Sequence, residues 1–167
     1  MARTEGLGHA LDPRRLGVYG HSAGGTAAAQ AQYADSRVGA AADWEGFLDQ
    51  APDVSGRPGE LLPVAREGVD RPLLLVGTGG FAGRTEMERS WAAVVAHPGG
   101  HTRRDRLDGS AHRAFTDHAF IAPRLQAAGL MTAEGRARLV GVADPAWSVP
   151  AVRGQVRRFF ARHLPEH

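Results

Sequence analysis

The strongest constraint in the sequence is the glycine-rich segment Gly20-His21-Ser22-Ala23-Gly24, which lies between two segments of different character. The short apolar run 16–20 follows the turn-forming pair Asp12-Pro13 and predicts a buried strand. The alanine-rich run 24–34 predicts a helix, because alanine has the highest helix propensity. The chain must therefore pass from strand to helix within the segment. Both of its glycines suit so sharp a turn, since we expect a Cβ at either position to collide with it.

This G-x-S-x-G pattern between a strand and a helix is typical of a nucleophile elbow. Such a turn holds Ser22 in a strained conformation and lifts its hydroxyl above the strand ends. It also directs the N-terminus of the helix toward a developing oxyanion, for which the backbone N–H of Ala23 is a predicted donor. The alternative interpretation is a glycine-rich turn that carries a solvated serine with no chemical role.

The rest of the chain alternates short apolar runs with helical patterns, which implies a parallel sheet covered on both faces. We therefore expect an α/β fold, a single domain over residues 1–167 with a mostly parallel sheet of about four strands flanked by helices. The further strands are predicted at 38–44, 72–77 and 101–107, and the further helices at 85–96, 114–127, 132–140 and 148–163, with a loop and one helical turn within 51–71.

Composition excludes several classes of function. With no cysteine, the chain has no disulfide framework, thiolate metal site or cysteine nucleophile. The net charge is only +2, and arginines alternate with acidic residues, so no basic face for nucleic acid is expected. No apolar run approaches the roughly 20 residues of a membrane-spanning helix. The start of the sequence lacks the apolar core of a signal peptide. The compartment stays open, because a different true start would allow secretion.

A serine nucleophile needs a base, and on a fold with this elbow the chain order is serine, acid, histidine. His112 follows the short loop 107–111 at the end of the last predicted strand, from which a mobile imidazole reaches toward Ser22. His118 is expected on a helix surface. His21 lies inside the elbow, and we expect its side chain to point away from the serine. The alternative for His112 is a plain loop histidine.

The orienting acid has two candidates, Asp43 and Glu45, at the end of the second predicted strand. That is the sheet edge at which open α/β folds bind ligands. The loop 77–83 after the next strand contains no carboxylate. Alternation along a strand puts side chains 43 and 45 on the same side, so spacing alone does not choose between them.

Five stretches of the sequence resemble the platelet-activating factor acetylhydrolase family and its bacterial α/β-hydrolase relatives. They follow one another in order over most of residues 14–164: GHSAGG, DSRVGAAADWEGF, PLLLVGT, GSAHRAFTDHAFIAP and VRRFFARHL. The resemblance implies the C-terminal part of an α/β-hydrolase fold, without the strands that precede the elbow in that family. One oxyanion donor of the family comes from that missing part, so activity of this chain alone is left open.

The resemblance also implies roles for individual residues. Counting without gaps from Asp35 places Glu45 on the family's acid, which leaves Asp43 as the alternative. The spacing of His112, Phe115 and Asp117 matches the family's pattern around its histidine. Glutamate stands here in place of the family's aspartate, a change that lengthens the side chain by one carbon.

The implied activity is that of a serine carboxylic-ester hydrolase working through an acyl-enzyme, with a small-molecule ester or lipid as substrate, such as a short acyl ester or an acetyl-phospholipid. No metal or organic cofactor is implied, and the oligomeric state is left open. Trp44, Phe47, Phe81 and Phe115 are candidates to line a substrate pocket, and each is equally a candidate core residue. Two alternatives remain: another α/β-hydrolase, such as a dienelactone-hydrolase-like enzyme or a peptidase, and a non-catalytic truncated or relic domain.

Overall fold

The chain forms a four-stranded parallel sheet with helices on both faces. The computed structural model describes residues 12–51, 57–81, 84–98 and 101–164. The strands lie in the order β1-β2-β3-β4 and all neighbouring pairs are parallel. The elements are β1 (Leu16–His21), α1 (Ala23–Ala34), β2 (Val38–Trp44), α2 (Pro63–Glu67), β3 (Leu73–Thr78), α3 (Arg84–Val95), β4 (Thr102–Leu107), a 3₁₀ turn (His112–Phe115), α4 (His118–Ala127), α5 (Ala133–Val140) and α6 (Pro145–His163).

The predicted fold class is confirmed, and each strand begins and ends within one residue of its predicted range. Two helices differ from prediction. The single helix expected over 114–127 is divided, because Thr116 has an extended backbone between the 3₁₀ turn and α4. Helix α6 begins at Pro145 rather than at 148, since the Asp144 side chain accepts a hydrogen bond from the N–H of Ala146 and caps the helix. Residues 1–11 and 165–167 of the predicted single domain lie outside the described residues.

Two apolar layers hold the sheet between its helices. Alternate residues of β2 and β3 face opposite sides, as the period of a strand requires. One layer packs against α1, α2 and α3 and includes Ala41, Leu75 and Trp91. The other packs against α6 and includes Trp44 and Phe159. Burying one large apolar side chain stabilises a fold by about 1.5–3 kcal/mol, so these layers fix the central strands and therefore the loops at their ends.

The carboxyl ends of the four parallel strands meet at one edge of the sheet, and backbone hydrogen bonds continue past them. The N–H of Ser22 donates to the carbonyl of Trp44 at 2.8 Å, and the N–H of Glu45 donates to the carbonyl of Val76 at 3.1 Å. The loops after β1 and β2 are thus joined to their neighbours in the sheet. This edge brings the predicted site residues together.

No helix within the described part of the chain is both long enough and apolar enough to cross a membrane.

Candidate active site

Ser22 occupies a strained turn between β1 and α1. Its backbone has φ 57° and ψ −126°, which is unusual for a residue other than glycine. Its carbonyl accepts hydrogen bonds from the N–H groups of Gly25 at 2.8 Å and Thr26 at 3.1 Å. A conformation of this kind costs about 1–3 kcal/mol and persists only where its surroundings impose it. The sheet bond to Trp44 on one side and the first turn of α1 on the other impose it here.

Only one of the two glycines in the G-x-S-x-G pattern is required by space. A Cβ at Gly20 would lie 2.2 Å from the carbonyl oxygen of Gly24. Gly24 itself is exposed, and a Cβ there would meet nothing within 4 Å, so the expectation of a collision at this position is wrong. The second constrained position is Gly25, where a Cβ would lie 1.9 Å from Oδ1 of Asp43. The elbow therefore needs glycine at 20 and 25.

Ala23 is the first residue of α1 and is exposed at the sheet edge. The first N–H groups of a helix have no acceptor within that helix. The N–H of Ala23 is therefore available to a ligand beside Ser22, and the positive end of the helix dipole lies with it.

Glu45 and His112 form a hydrogen-bonded pair at the same edge, in which Glu45 is buried and His112 is partly buried. His112 Nδ1 donates to Glu45 Oε2 at 2.8 Å, and the Glu45 side chain is fully buried. The other carboxylate oxygen, Oε1, accepts from the backbone N–H of Thr78 at 2.5 Å and from the Thr78 hydroxyl at 2.6 Å. Three donors thus satisfy the carboxylate, which fixes its orientation toward the imidazole.

Asp43 does not reach His112. Its Oδ1 accepts from the N–H of Gly46 at 2.7 Å beneath the elbow, and burial raises the pKa of this carboxyl well above its usual value. The two carboxylates diverge because Glu45, with φ 55°, has left the strand conformation. Side-chain alternation therefore stops before residue 45, and the side chains of Asp43 and Glu45 do not lie on the same side as expected.

The imidazole of His112 has fixed neighbours, and its Nε2 has no hydrogen-bond partner within the described part of the chain. The 3₁₀ turn after β4 carries it, and the Phe81 ring stacks on it at 4.3 Å with an interplanar angle of 15°. Because Nδ1 is bonded to Glu45, Nε2 is left to face a reacting group. Across the described ranges the Ser22 hydroxyl makes no hydrogen bond. In hydrolases without substrate, the hydrogen bond between a catalytic serine and its histidine is often long.

His21 contacts His112. Its Nε2 lies 2.8 Å from the backbone carbonyl oxygen of His112, and the two rings are 4.4 Å apart. Burial lowers the pKa of His21, and the charge of His112 lowers it further. The contact was missed from the sequence, although alternation along β1 places His21 on the same face as Tyr19, the side of Trp44.

The four aromatic residues predicted to line a pocket have different positions. Trp44 is only 3% exposed and belongs to the core, where it stacks on Phe115. Phe47 and Phe81 are partly exposed and meet edge to face at 5.8 Å, beside His112. Phe47 also lines a cavity of about 750 Å³. The Phe47–Phe81 pair is thus the apolar surface next to the imidazole.

One cluster among the described residues has the side chains to hold a metal ion: potential ligand atoms of His21, Glu45 and His112 lie within 4.8 Å of one another. Both oxygens of Glu45, Nδ1 of His112 and Nε2 of His21 are already hydrogen-bonded. A metal ion held by all three side chains would have to break the Glu45–His112 bond. The arrangement fits proton transfer better than metal ligation.

The fold is similar to that of known hydrolases. A ferulic acid esterase from Streptomyces cinnamoneus is 30% identical to the chain with a TM-score of 0.71; the match covers 92% of this chain and 42% of the esterase. The chain has part of the α/β-hydrolase fold. A Klebsiella pneumoniae protein assigned as a dienelactone hydrolase is 16% identical with a TM-score of 0.57; the match covers 92% of this chain and 55% of the Klebsiella protein. The acylaminoacyl peptidase of Pyrococcus horikoshii is 14% identical with a TM-score of 0.58; the match covers 96% of this chain and 26% of the peptidase.

The chain therefore spans between about a quarter and a little over half of the length of these structures. No protein-family model matches the sequence, and a search of curated proteins finds no match. The resemblance to the platelet-activating factor acetylhydrolases stays a prediction. These similarities show the fold, with esterases, a dienelactone hydrolase assignment and peptidases among its neighbours.

Proposed function

We propose that the protein is a serine carboxylic-ester hydrolase, with Ser22 as nucleophile, His112 as general base and Glu45 as the orienting acid. The observation that carries this proposal is the 2.8 Å hydrogen bond between the buried Glu45 and the partly buried His112, at the sheet edge where the strained Ser22 turn lies. A serine in an elbow, a histidine with a free Nε2 and an acid on Nδ1 are the parts of a catalytic triad. The 30% identity to an esterase supports ester substrates.

The proposed reaction has two steps. The Ser22 hydroxyl attacks the ester carbonyl while Nε2 of His112 takes its proton, and a tetrahedral intermediate forms. The intermediate expels the alcohol, which receives that proton, and the acyl group remains on Ser22. Water then attacks the acyl-enzyme in the same manner and releases the carboxylic acid. Throughout, Glu45 holds the Nδ1–H tautomer and stabilises the imidazolium that forms.

Ala23 is the proposed oxyanion donor, since its N–H adjoins Ser22 and has no acceptor within α1. Oxyanion holes on this fold use two N–H groups, and removal of one donor costs about 10²–10³ in turnover. If Ala23 is the only donor in this 167-residue chain, turnover will be slow while formation of the covalent acyl-serine is still detectable.

We propose short acyl esters and acetyl-phospholipids as substrates, and aryl esters as a second class. The aromatic pair Phe47–Phe81 beside His112 favours an apolar or aromatic group at this position. A panel of p-nitrophenyl acetate, an acetyl-phospholipid, methyl ferulate and an aminoacyl p-nitroanilide separates esterase from peptidase activity. Hydrolysis of the anilide alone would replace the esterase proposal with a peptidase.

The deciding experiment is labelling with a fluorophosphonate probe. We expect the folded chain to be labelled at Ser22, as located by peptide mass spectrometry, and Ser22→Ala to abolish labelling. Ser36→Ala is the matched control, because Ser36 lies in an exposed turn away from the sheet edge, and it should label normally. No labelling of folded wild-type protein would favour a non-catalytic domain.

A further inference from the structure

We propose that His21 is a positioning residue that fixes the backbone of His112 relative to the nucleophile elbow. The residue beside the nucleophile in sequence would then hold the catalytic base in place. This inference rests on the proposed function, because it assumes that Ser22 and His112 act together.

The connection is a single hydrogen bond between two distant parts of the chain. His21 is the last residue of β1, and its sheet partner is Trp44, so its backbone is fixed by the strand. Its Nε2 lies 2.8 Å from the carbonyl oxygen of His112, 91 residues later in the sequence. The imidazole rings of the two residues are 4.4 Å apart, and the His21 ring also lies 5.9 Å from the ring of Phe115. His21 therefore touches both ends of the 3₁₀ turn that carries the base.

The chemistry of the acceptor requires a proton on Nε2 of His21. A backbone carbonyl only accepts, so Nε2 must be the donor, and Nδ1 is bare when the ring is neutral. The titratable and charged groups that face the ring are His112, Glu45 and Arg113. Burial is the largest influence and lowers the pKa of His21, with His112 adding to that effect. A neutral His21 is a donor that adds no positive charge beside the imidazolium formed on His112.

The element that His21 supports is short. The 3₁₀ turn has four residues and connects β4 to α4 through extended residues on both sides. Hydrogen bonds in 3₁₀ turns have poorer geometry than those in α-helices, so an external donor contributes more to its position. Misplacement of a catalytic group by about 1 Å can cost roughly 10²-fold in rate. Loss of this one bond should therefore lower the rate of the chemical step and leave the affinity for substrate nearly unchanged.

The test compares His21→Phe, which keeps a ring but has no donor, with His21→Gln, whose amide can donate in place of Nε2. We expect His21→Phe to lower kcat on p-nitrophenyl acetate by about tenfold, the effect of one lost hydrogen bond, with KM within about twofold. His21→Gln should recover to within about threefold of wild type. His101→Phe is the matched control, since His101 is an exposed histidine just before β4, at the opposite end of that strand from the 3₁₀ turn, and its kinetics should be unchanged. Thermal unfolding of each variant separates lost activity from lost fold.

A second measurement does not depend on turnover. In ¹⁵N-imidazole spectra of the full chain at pH 7, Nε2 of His21 should carry a proton, because its partner is a carbonyl oxygen. An Nε2 without a proton, or Ser22 labelling by the fluorophosphonate at the wild-type rate in His21→Phe, would each overturn the positioning role. Equal losses in His21→Phe and His21→Gln would also overturn it. If folded wild type is not labelled at all, the proposed function fails together with this role, whereas labelling of wild type with an unaffected His21→Phe removes the positioning role alone.

Discussion

Glu45 and His112 are 67 residues apart in the sequence, yet Nδ1 of the histidine lies 2.8 Å from the carboxylate. Two loops at the carboxyl edge of a parallel sheet make this contact, and β3 and the turn after it hold both loops. Thr78, the last residue of β3, donates twice to Glu45, and the N–H of Gly80 in the following turn donates to the carbonyl of Ser110 at 3.0 Å, two residues before His112. The end of β3 and its turn therefore set the positions of Glu45 and His112 together.

Replacement of Glu45 by glutamine should lower kcat by roughly 10²–10⁴, because the amide oxygen will accept from Thr78 and the NH2 group will then face Nδ1, which favours the wrong imidazole tautomer and leaves the positive charge unstabilised. Asp43→Asn should retain activity within a few fold, since burial raises the pKa of Asp43 and an amide can keep the Oδ1 contact with the N–H of Gly46. Steady-state hydrolysis of p-nitrophenyl acetate by the two variants separates the two candidate acids. A large loss in Asp43→Asn with little loss in Glu45→Gln would assign the acid to Asp43.

The stability of the fold should depend on pH through Asp43. Burial raises its folded pKa well above the value of 3.8 for an unperturbed aspartate, so the folded chain holds a proton that the unfolded chain releases. The stability gained from this bound proton is fully present below pH 3.8, and it falls as the pH rises toward the folded pKa. Relative to Asp43→Asn, wild type should therefore lose up to about 1.4 kcal/mol of unfolding free energy per pH unit between pH 4 and the folded pKa.

Urea unfolding at pH 4, 6 and 8 measures this difference for wild type and Asp43→Asn. Asp108→Asn is the control, because Asp108 is exposed and pairs with Arg106 at the surface. A difference between wild type and Asp43→Asn that stays constant with pH would mean that Asp43 is charged in the fold.

The fold and the elbow were predictable from the sequence because local patterns define them. Short apolar runs alternate with helical patterns, and the segment around Ser22 lies directly between a strand and a helix. The pairing of Glu45 with His112 could not be derived from spacing, since it depends on the positive φ at Glu45, and glutamate carries no signal for that conformation. A family resemblance was needed to favour Glu45 over Asp43.

The prediction for Gly24 failed for a related reason. The clash that excludes a side chain in this turn involves Gly25 and Asp43, which come from α1 and β2 and meet only in the folded chain. The contact between His21 and His112 is not predictable from the elbow motif. The acceptor is a carbonyl on a loop after β4, which sequence periodicity does not locate.

Substitutions at the two adjacent glycines should have opposite effects on stability. Gly25→Ala should destabilise the chain by about 1–3 kcal/mol or more, since the new Cβ would lie 1.9 Å from Oδ1 of the buried Asp43. Gly24→Ala has open space in the first turn of α1 and should be neutral or stabilise by up to about 1 kcal/mol. Urea unfolding measures both variants, and equal destabilisation by the two would contradict the elbow geometry described here.

Thr78 offers a test of how far the orientation of the acid controls the base. Thr78→Val removes the hydroxyl that donates to Glu45 Oε1 at 2.6 Å, while the backbone N–H of residue 78 remains to donate. We expect kcat to fall by about tenfold with little change in KM, because a charge-assisted hydrogen bond contributes about 1.5–3 kcal/mol and part of that is recovered by the remaining donor. Thr102→Val is the matched control: the Thr102 hydroxyl is buried in β4 and has no hydrogen-bond partner among the described residues. Its loss should leave kcat unchanged, so a similar decrease in both variants would show that the effect of Thr78 arises from packing in the sheet and not from its bond to Glu45.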